Sequence, residues 1–195
     1  MNNIVAILPM KHSSERVPGK NYRAFGDKLL FEHILTTLLS CDKIDLVVVD
    51  TDSDTIVEKL AKDYPKVKLL QRPEHLRPGD TPMNDVLLNT ISQVPSKFYL
   101  QTHSTNPLLT KESIDAAIDK FEAKYPIYDS LFSVTRLQTR LWNELSMPMN
   151  HNPNILLPTQ DLPPVYEENS CIYLFTEEIL RNKHNRIGNR PMMHE

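Results

Sequence analysis

IVAIL, residues 4–8, is a continuous apolar run that ends at Pro9. A run without polar alternation predicts a strand that is buried on both faces, as in parallel sheets. Within residues 29–39 apolar side chains recur at helical spacing, and residues 44–49 (IDLVVV) form a second strand-like run. These three segments predict one βαβ unit.

Strand-like and helix-like patterns alternate along most of the remaining chain. Helical spacing predicts helices at residues 56–61, 83–94, 114–121 and 176–181, with Thr110 as an N-cap, and apolar runs predict strands at 67–70, 98–100, 130–134 and 172–175. This alternation predicts an α/β fold with a doubly wound, mostly parallel sheet. Periodicity is lost between Arg136 and Asn169, so we expect an insertion over 137–170, and a polar tail is expected at the end.

Composition limits the class of protein. With 195 residues, 40% hydrophobic and 24% charged, the chain suits a single domain over 1–195. A net charge of -3 gives no basic field for nucleic acid. Cys41 and Cys171 lie far apart, so we expect neither a disulfide nor a zinc site, and a cytoplasmic location fits best. No apolar run approaches the roughly 20 residues that span a bilayer, so no membrane partner is expected.

The loop after the first strand is the main candidate for chemistry. Residues 10–21 read MKHSSERVPGKN and contain three cations, two hydroxyls and a turn glycine. Such a loop can wrap a triphosphate through backbone N–H groups and cationic side chains. It is neither a Walker A loop nor a dinucleotide fingerprint, because GxxxxGK[ST] and GxGxxG are both absent.

Residues 14–21, Ser-x-Arg-Val-Pro-Gly-Lys-Asn, resemble the signature loop of the CMP-sugar synthetases, the acylneuraminate cytidylyltransferase family. Further segments that resemble the family follow in the same order: VDTDS at 49–53, QRP at 71–73 with DT at 80–81, LQT at 100–102 with NPL at 106–108, QDLP at 160–163, and 166–173. The matches cover nearly the whole chain, and their order and spacing are hard to obtain by chance.

The resemblance implies a Rossmann-like nucleotidyltransferase that joins CMP from CTP to an acidic 2-keto-3-deoxy sugar of the sialic, legionaminic or pseudaminic type and releases pyrophosphate. It assigns the nucleotide to Lys11, Ser14, Arg16, Lys20, Asn21, Arg72, Asp80 and Thr81, and the sugar to Gln101, Thr102, Gln160, Asn169 and Tyr173. Lys20 and Arg16, together with Mg²⁺, are expected to stabilise the charge that builds up during transfer. The resemblance also implies a homodimer that forms through the insertion, and Trp142 with its neighbouring methionines is expected in that surface.

Several positions depart from the family pattern. Lys11, His12 and Ser13 stand where the family has Arg-Gly-Gly, and Glu15 stands where a lysine is common. Thr159 replaces the arginine that we expect to meet the sugar carboxylate, and the sequence reaches Glu195 before the Asp-x-Asp pair that holds magnesium in the family. Two alternatives therefore remain: a nucleotidyltransferase with another NTP or sugar, and a nucleotide-binding protein without catalysis.

Some candidate residues have simpler interpretations. Asp50 and Asp52 follow a strand and could hold a metal, but carboxylates at that position often only cap the next helix. Arg72 could instead pair with Glu74 at the surface, a contact of small energetic value. Among the histidines, His12 is the one expected near phosphate.

The segment Asp80-Thr81-Pro82 has a second interpretation as well. A threonine followed by a proline at the first helical position favours a helix start. Asp80 and Thr81 could therefore serve mainly to begin the next helix.

Overall fold

The computed structural model describes residues 2–195. In chain order its elements are β1 (Asn2–Met10), β2 (Ala24–Phe25), β3 (Lys28–Leu29), α1 (Leu30–Ser40), β4 (Leu46–Thr51), α2 (Asp54–Asp63), β5 (Lys68–Gln71), α3 (Met83–Gln93), β6 (Ser96–Gln101), α4 (Lys111–Glu122), β7 (Ser130–Leu137), β8 (Val165–Phe175), α5 (Glu177–Lys183) and β9 (Pro191–His194). Short 3-10 helices lie at Lys20–Tyr22, Glu74–Leu76 and Thr159–Asp161.

One seven-stranded sheet organises the molecule, with the order β5-β4-β1-β6-β8-β7-β9. β1 pairs in parallel with β4 and β6, and β4 pairs in parallel with β5. β8 runs antiparallel to both β6 and β7, whereas β7 and β9 are parallel. The predicted α/β fold with a mostly parallel sheet is confirmed.

Both faces of the sheet are covered by helices, as the unbroken apolar runs predict. In β1, Ile4, Ala6 and Leu8 pack on the face that holds α1, α2 and α4. Val5 and Ile7 point to the other face, where they join α3 and α5. Because neighbouring side chains of a strand alternate between faces, a central strand between two helical layers needs apolar residues at every position.

Hydroxyl side chains begin three of the helices. Ser53 Oγ accepts a hydrogen bond from the Ile56 N–H at the start of α2. Thr110 and Thr176 do the same for α4 and α5, so the predicted N-cap at Thr110 is confirmed. Each of these caps satisfies one of the backbone N–H groups that the first turn of a helix leaves free.

Two segments differ from the sequence-based expectation. β8 begins at Val165, inside the stretch 137–170 that we expected to be an irregular insertion, and it pairs there with the end of β7. The expected polar tail contains β9, which pairs with β7 at the edge of the sheet. The first half of β8 is largely exposed, so its sequence lacks the apolar alternation that would identify a strand.

The parallel strands place their following loops at one edge of the sheet. The loops after β1, β4, β5 and β6 all leave from carboxyl ends, where open α/β sheets bind their ligands. None of the helices between residues 2 and 195 combines the length and apolar character needed to cross a bilayer.

Candidate active site

A cavity of ≈ 410 Å³ opens at this carboxyl edge of the sheet. Its volume lies in the range of roughly 300–1,000 Å³ that is typical of small-molecule sites. The end of β1, the first turn of α3 and the loops after β1, β5 and β6 line it. The lining residues are Pro9, Met10, Lys11, Ser13, Ser14, Glu15, Arg16, Lys20, Asn21, Arg72, Arg77, Gly79, Thr81, Met83, Val86, His103, Ser104 and Thr105. The structure thus brings together the predicted nucleotide-binding residues, with the exception of Asp80.

The charge along the cavity wall is strongly positive. Lys11, Arg16, Lys20 and Arg77 line it without a carboxylate partner among the described residues, and Glu15 is the one acidic residue on the wall. Four cations against one carboxylate create a field that attracts a polyanion. The arrangement suits a triphosphate better than a neutral ligand.

Lys11 and Glu15 bring the loop after β1 into contact with the loop that precedes α3. Lys11 Nζ donates to the carbonyl oxygens of Pro78, at 2.5 Å, and Gly79, at 3.3 Å. A Cβ atom on Gly79 would lie 2.9 Å from Glu15 Oε1, so a larger residue at position 79 would displace that carboxylate. The two loops therefore define the width of the cavity together.

Asn21 fixes the far end of the β1 loop. Its Nδ2 donates to the carbonyl of Lys11 at 2.7 Å, and its Oδ1 accepts from Ser104 Oγ at 2.6 Å. The side chain is only 6% exposed. Asn21, which we predicted to contact the nucleotide, joins the two loops that line the cavity.

His12 lies on the outer side of the same loop. Its backbone N–H donates to Asp52 Oδ1 at 2.7 Å, its Nδ1 is 2.9 Å from Ser53 Oγ, and its ring stacks on Tyr22. Asp52 thus holds the loop rather than the start of α2. His12, the histidine that we expected near phosphate, does not line the cavity.

Arg72 is committed to a buried ion pair. Its Nε donates to Asp50 Oδ1 at 2.5 Å and its Nη2 donates to the Asp50 carbonyl at 3.2 Å. Burial raises the pKa of Asp50, and the guanidinium opposes that shift. The partner of Arg72 is therefore Asp50, and the alternative pairing with Glu74 is wrong.

Of the neighbouring residues Asp80 and Thr81, only Thr81 lines the cavity. Thr81 is half-buried in the wall, whereas Asp80 is exposed and lines a shallow depression on the outside of the loop. α3 begins at Met83, and its N-cap residue, Pro82, has no side chain that could cap the helix. Pro82 therefore precedes the first helical position that we expected it to occupy.

His103 closes one side of the cavity. Burial, with Arg186 and Lys20 nearby, lowers the pKa of His103 from 6.5 to about 4, so the imidazole is neutral at pH 7. Gln101 Nε2 lies 3.0 Å from His103 Nε2 and also donates to the Thr102 carbonyl. A neutral ring can accept from Gln101, and it adds no charge to the wall.

Behind His103, two predicted sugar-binding residues meet around an arginine. Arg186 Nη1 donates to Gln101 Oε1 at 2.7 Å, and the guanidinium lies 3.7 Å from the centre of the Tyr173 ring. The Tyr173 hydroxyl donates to Glu168 and is 3.0 Å from Ser170 Oγ. Burial raises the pKa of Tyr173, so its hydroxyl stays protonated at neutral pH.

The remaining predicted sugar-binding residues lie outside this group. Asn169 Oδ1 accepts from Ser133 Oγ at 2.6 Å and joins β7 to β8. Thr102 is buried, and Asn106 Nδ2 donates to its hydroxyl at 3.4 Å. Gln160 is exposed in the 3-10 helix Thr159–Asp161 and does not line the cavity.

Sequence reasoning missed Arg77, His103 and Arg186. Arg77 and His103 follow strands of the parallel sheet, as Lys20 does, and a rule that included every polar residue of those loops would have found them. Arg186 lies after α5, in a segment that we expected to be a polar tail. No periodicity or motif marks it, because tertiary contacts bring it to Gln101, namely the pairing of β8 with β6 and the anchors of the loop after α5.

The described residues do not form a metal centre by themselves. Within residues 2–195, no three His, Cys, Asp or Glu side chains converge so as to hold an ion. Asp50 is paired with Arg72, and Asp52 accepts from the His12 N–H. Neither carboxylate is therefore assigned to Mg²⁺.

Comparison with known proteins agrees with this geometry. A sequence profile described as cytidylyltransferase matches residues 5–193. The pseudaminic acid cytidylyltransferase of Campylobacter jejuni is 25% identical, over 91% of this chain and 80% of that protein. The CMP-N,N'-diacetyllegionaminic acid synthase of Legionella pneumophila is 26% identical, over 92% of this chain and 81% of that protein.

A solved structure shares the fold. CMP:2-keto-3-deoxy-manno-octonic acid synthetase complexed with CTP superposes with a TM-score of 0.68 at 16% identity, over 93% of this chain and 77% of that chain. The profile match covers nearly the whole chain. The loops of the chain form a cationic cavity at the expected edge of the sheet. The chain belongs to the cytidylyltransferase family and is a nucleotidyltransferase.

Proposed function

We propose that this protein transfers CMP from CTP to an acidic 2-keto-3-deoxy sugar of the sialic, legionaminic or pseudaminic type and releases pyrophosphate. The observation that carries the proposal is the ≈ 410 Å³ cavity, which is lined by one carboxylate and by four cations without an acidic partner among the described residues, in addition to the ion-paired Arg72. The relatives named for pseudaminic and legionaminic acid support the class of acceptor.

The reaction needs positioning and charge stabilisation more than covalent help. The anomeric oxygen of the sugar forms a bond to the α-phosphorus, the bond from that phosphorus to the bridging oxygen breaks, and pyrophosphate leaves with the electron pair. The hydroxyl proton is released to the medium. Lys20 and Arg16 stabilise the charge on the phosphoryl oxygens and on the leaving group.

The loop around these cations is held in place before the nucleotide arrives. Asn21 joins it to Ser104, Asp52 holds the His12 N–H, and Lys11 reaches the carbonyl of Pro78. A preorganised site avoids the cost of ordering charged side chains during the reaction. Ser14, half-buried in the wall, supplies a hydroxyl for a phosphate oxygen.

Mg²⁺ belongs to the proposal as the counter-ion of the triphosphate. Such ions are usually bound by substrate phosphates, waters and one or two carboxylates. Because the described residues form no magnesium site by themselves, no reaction step is assigned to the ion.

The test is pyrophosphate release from CTP and Mg²⁺ with a panel of nonulosonic acids and 3-deoxy-octulosonate. Lys20→Ala should lower the rate roughly 100-fold, the usual cost of one lost transition-state donor. Lys66→Ala is the matched control, because Lys66 is exposed between α2 and β5, at the amino edge of the sheet. Equal rates for the two variants would contradict the assigned role of Lys20.

A second candidate is transfer from another NTP or to another sugar. It is favoured by His12, which occupies a position where the family loop has glycine and stacks on Tyr22. Supplying ATP, GTP, UTP and CTP separately distinguishes these reactions. Saturable CTP binding without pyrophosphate release from any acceptor would instead identify a nucleotide-binding protein without catalysis.

The insertion supports a further part of the proposal, a homodimer. Seven large apolar side chains of this segment are more than 40% exposed, namely Trp142, Leu145, Met147, Met149, Ile155, Leu156 and Leu157. Contiguous exposed apolar surface on a globular protein usually marks an interaction site.

A further inference from the structure

Arg186 is a half-buried cation without an acidic partner. Within residues 2–195, no carboxylate lies within ion-pair distance of its guanidinium. The guanidinium has five N–H donors, and its hydrogen bond to the described residues is the one from Nη1 to Gln101 Oε1. The other donors are available to a ligand.

The loop that presents Arg186 is anchored on both sides. His184 Nε2 pairs with Asp85 at 2.9 Å, and its carbonyl accepts from Asn84 Nδ2. Gly188 N–H donates to Ser130 Oγ at 2.7 Å, and the Gly188 carbonyl accepts from Lys183 Nζ. Arg186 is therefore held between fixed points, as a recognition residue must be.

The surroundings of Arg186 select the kind of anion that it can bind. Its guanidinium lies over the buried ring of Tyr173, which covers one face and leaves the planar edge for recognition. Glu168 accepts from the Tyr173 hydroxyl and places a negative charge nearby, whereas His103 is neutral at pH 7. A single arginine suits a planar monoanion better than a phosphate dianion, for which the cavity supplies four cations without an acidic partner among the described residues.

Gln101 acts through Arg186 in this arrangement. Both donors of its amide are used, since Nε2 donates to the Thr102 carbonyl and lies 3.0 Å from His103 Nε2. Its Oε1 faces Arg186. Gln101 is therefore a positioning residue that orients the guanidinium.

We infer that Arg186 binds the carboxylate of the sugar acid and so selects acidic acceptors. The inference rests on the proposed function and adds the residue that recognises the carboxylate of the acceptor. In the ring form of a 2-keto acid the carboxylate and the reacting hydroxyl share the anomeric carbon. The carboxylate carbon and the nucleophilic oxygen are therefore two bonds apart. A guanidinium that binds the carboxylate also positions this oxygen, on the His103 side of the cavity.

The test compares each sugar acid with its methyl ester, which keeps the shape but removes the charge. A charged hydrogen bond of this kind is worth about 1.5–3 kcal/mol, so wild-type kcat/KM should favour the acid roughly 10- to 100-fold. Arg186→Met should bring the ratio of acid to ester close to 1 and leave the KM for CTP unchanged. Arg186→Lys, which keeps the charge without the fork, should give an intermediate ratio.

Arg181→Met is the matched control, because Arg181 is exposed on α5 and pairs with Glu177. It should keep the wild-type preference for the acid. If Arg186→Met lowers turnover of acid and ester equally, or keeps the wild-type ratio, Arg186 has only a structural role and the inference is wrong. Arg186-dependent turnover of a sugar phosphate but not of an acid would also overturn it.

Binding separates this inference from the proposed function. Absence of turnover with every acid would refute the function, but calorimetry of the acids and their esters would still report on Arg186. Acid binding that Arg186→Met abolishes, beside an unchanged CTP affinity, would support the carboxylate site. Acid binding that survives in Arg186→Met, or no acid binding by the wild type, would overturn it.

Discussion

At the scale of single residues, the ion pair between Arg72 and Asp50 differs from the other ion pairs of residues 2–195 because both of its side chains are buried. The two side chains are 1% and 0% exposed, and Thr90 Oγ1 adds a contact of 3.4 Å to the carboxylate. Burial disfavours the charged form of Asp50, so the carboxylate depends on the guanidinium beside it. Because Arg72 also lines the cavity, the same pair supports the shape of the site.

Removal of one partner should therefore destabilise the fold. We expect Arg72→Met to lower the free energy of unfolding by about 3–5 kcal/mol, since it leaves a buried carboxylate unpaired. Urea titration followed by circular dichroism measures this change. Arg181→Met, which breaks an exposed pair with Glu177, serves as the control and should cost at most about 1 kcal/mol. If the two variants lose similar amounts of unfolding free energy, the buried pair contributes no more to stability than the exposed one.

His103 gives stability a specific dependence on pH. Its pKa is about 4 in the folded protein and near 6.5 when unfolded, so below pH 6.5 the unfolded chain takes up a proton that the folded protein does not. The resulting penalty is absent above pH 6.5, reaches roughly 2 kcal/mol at pH 5, and is complete, at about 3 kcal/mol, below pH 4.

We expect His103→Asn to remove this penalty. Between pH 7 and pH 5 the free energy of unfolding should fall less steeply in the variant than in the wild type. Carboxylates titrate in both proteins, so their contribution cancels in the difference between the two curves. His75→Asn controls for the loss of an exposed imidazole. Parallel curves for wild type and His103→Asn would contradict the expectation.

The sequence could identify the cations of the β1 loop but not the state of each candidate residue. Lys11, Ser14, Arg16 and Lys20 follow one strand within one short loop, so their proximity is a local property. Asp50 and Arg72 are 22 residues apart in sequence, and their ion pair depends on β4 and β5 lying side by side. A pairing across strands leaves no local pattern.

At the scale of elements, the junction of β7 and β8 is the feature that departs most from regular pairing. The register shifts between Phe132 and Val134, and Ser170 has a φ of 58°. Ser133 Oγ lies at the shift, where it accepts from the N–H groups of Cys171 and Ile172 and donates to Asn169 Oδ1. One hydroxyl thus satisfies backbone groups that the irregular ladder would leave unpaired.

Ser133→Ala should weaken this junction. We expect a loss of about 1–3 kcal/mol in unfolding free energy, because the buried Ile172 N–H would lose its acceptor and the Cys171 N–H would keep only Asn169 Oδ1. Ser92→Ala is the control, since Ser92 is exposed at the end of α3 and donates only to the Asn89 carbonyl. Hydrogen exchange should locate the effect, with faster exchange at Cys171 and Ile172 and no change in β1. Unchanged exchange at those two amides would contradict the role of Ser133.

The elements that the sequence did not predict share a physical cause. β8 extends back to Val165, where it pairs with β7 beyond the packed part of the sheet, and β9 adds four residues at an edge. The first part of β8 is largely exposed, and β9 buries only Met192 of its four residues, so both segments bury little apolar surface and depend mainly on backbone pairing. Patterns of hydrophobicity report burial, and they cannot reveal strands that bury little.

At the scale of the whole molecule, the alternation of strands and helices was enough to predict the layered architecture. β1, β4 and β6 lie inside the sheet and bury most of their side chains, so each leaves an apolar run in the sequence, whereas β5 is a partly buried edge strand. The reversal of β8 was not predictable in this way. The direction of that strand is set by the path of the long segment between β7 and β8, which has no regular periodicity.

That segment holds its own shape while it presents apolar side chains outward. Asn150 Nδ2 donates to the carbonyls of Thr139 and Pro163, and the ring of Trp142 packs edge-on against His151. Leu156 is 87% exposed. An ordered segment with exposed apolar side chains loses little conformational entropy on association, which favours a second copy of the chain as its partner.

The proposed homodimer can be tested with one substitution and one control. Leu156→Glu places a charge in the centre of the apolar segment and should shift the protein to a monomer in light scattering and sedimentation, because burial of an unpaired carboxylate is costly. Leu108→Glu is the matched control, since Leu108 is equally apolar and 83% exposed but lies in the loop after β6. A wild-type monomer, or dissociation by Leu108→Glu alone, would contradict a dimer through the insertion. If dissociation by Leu156→Glu also lowers pyrophosphate release while CTP binding is retained, the partner subunit helps to complete the acceptor side of the site.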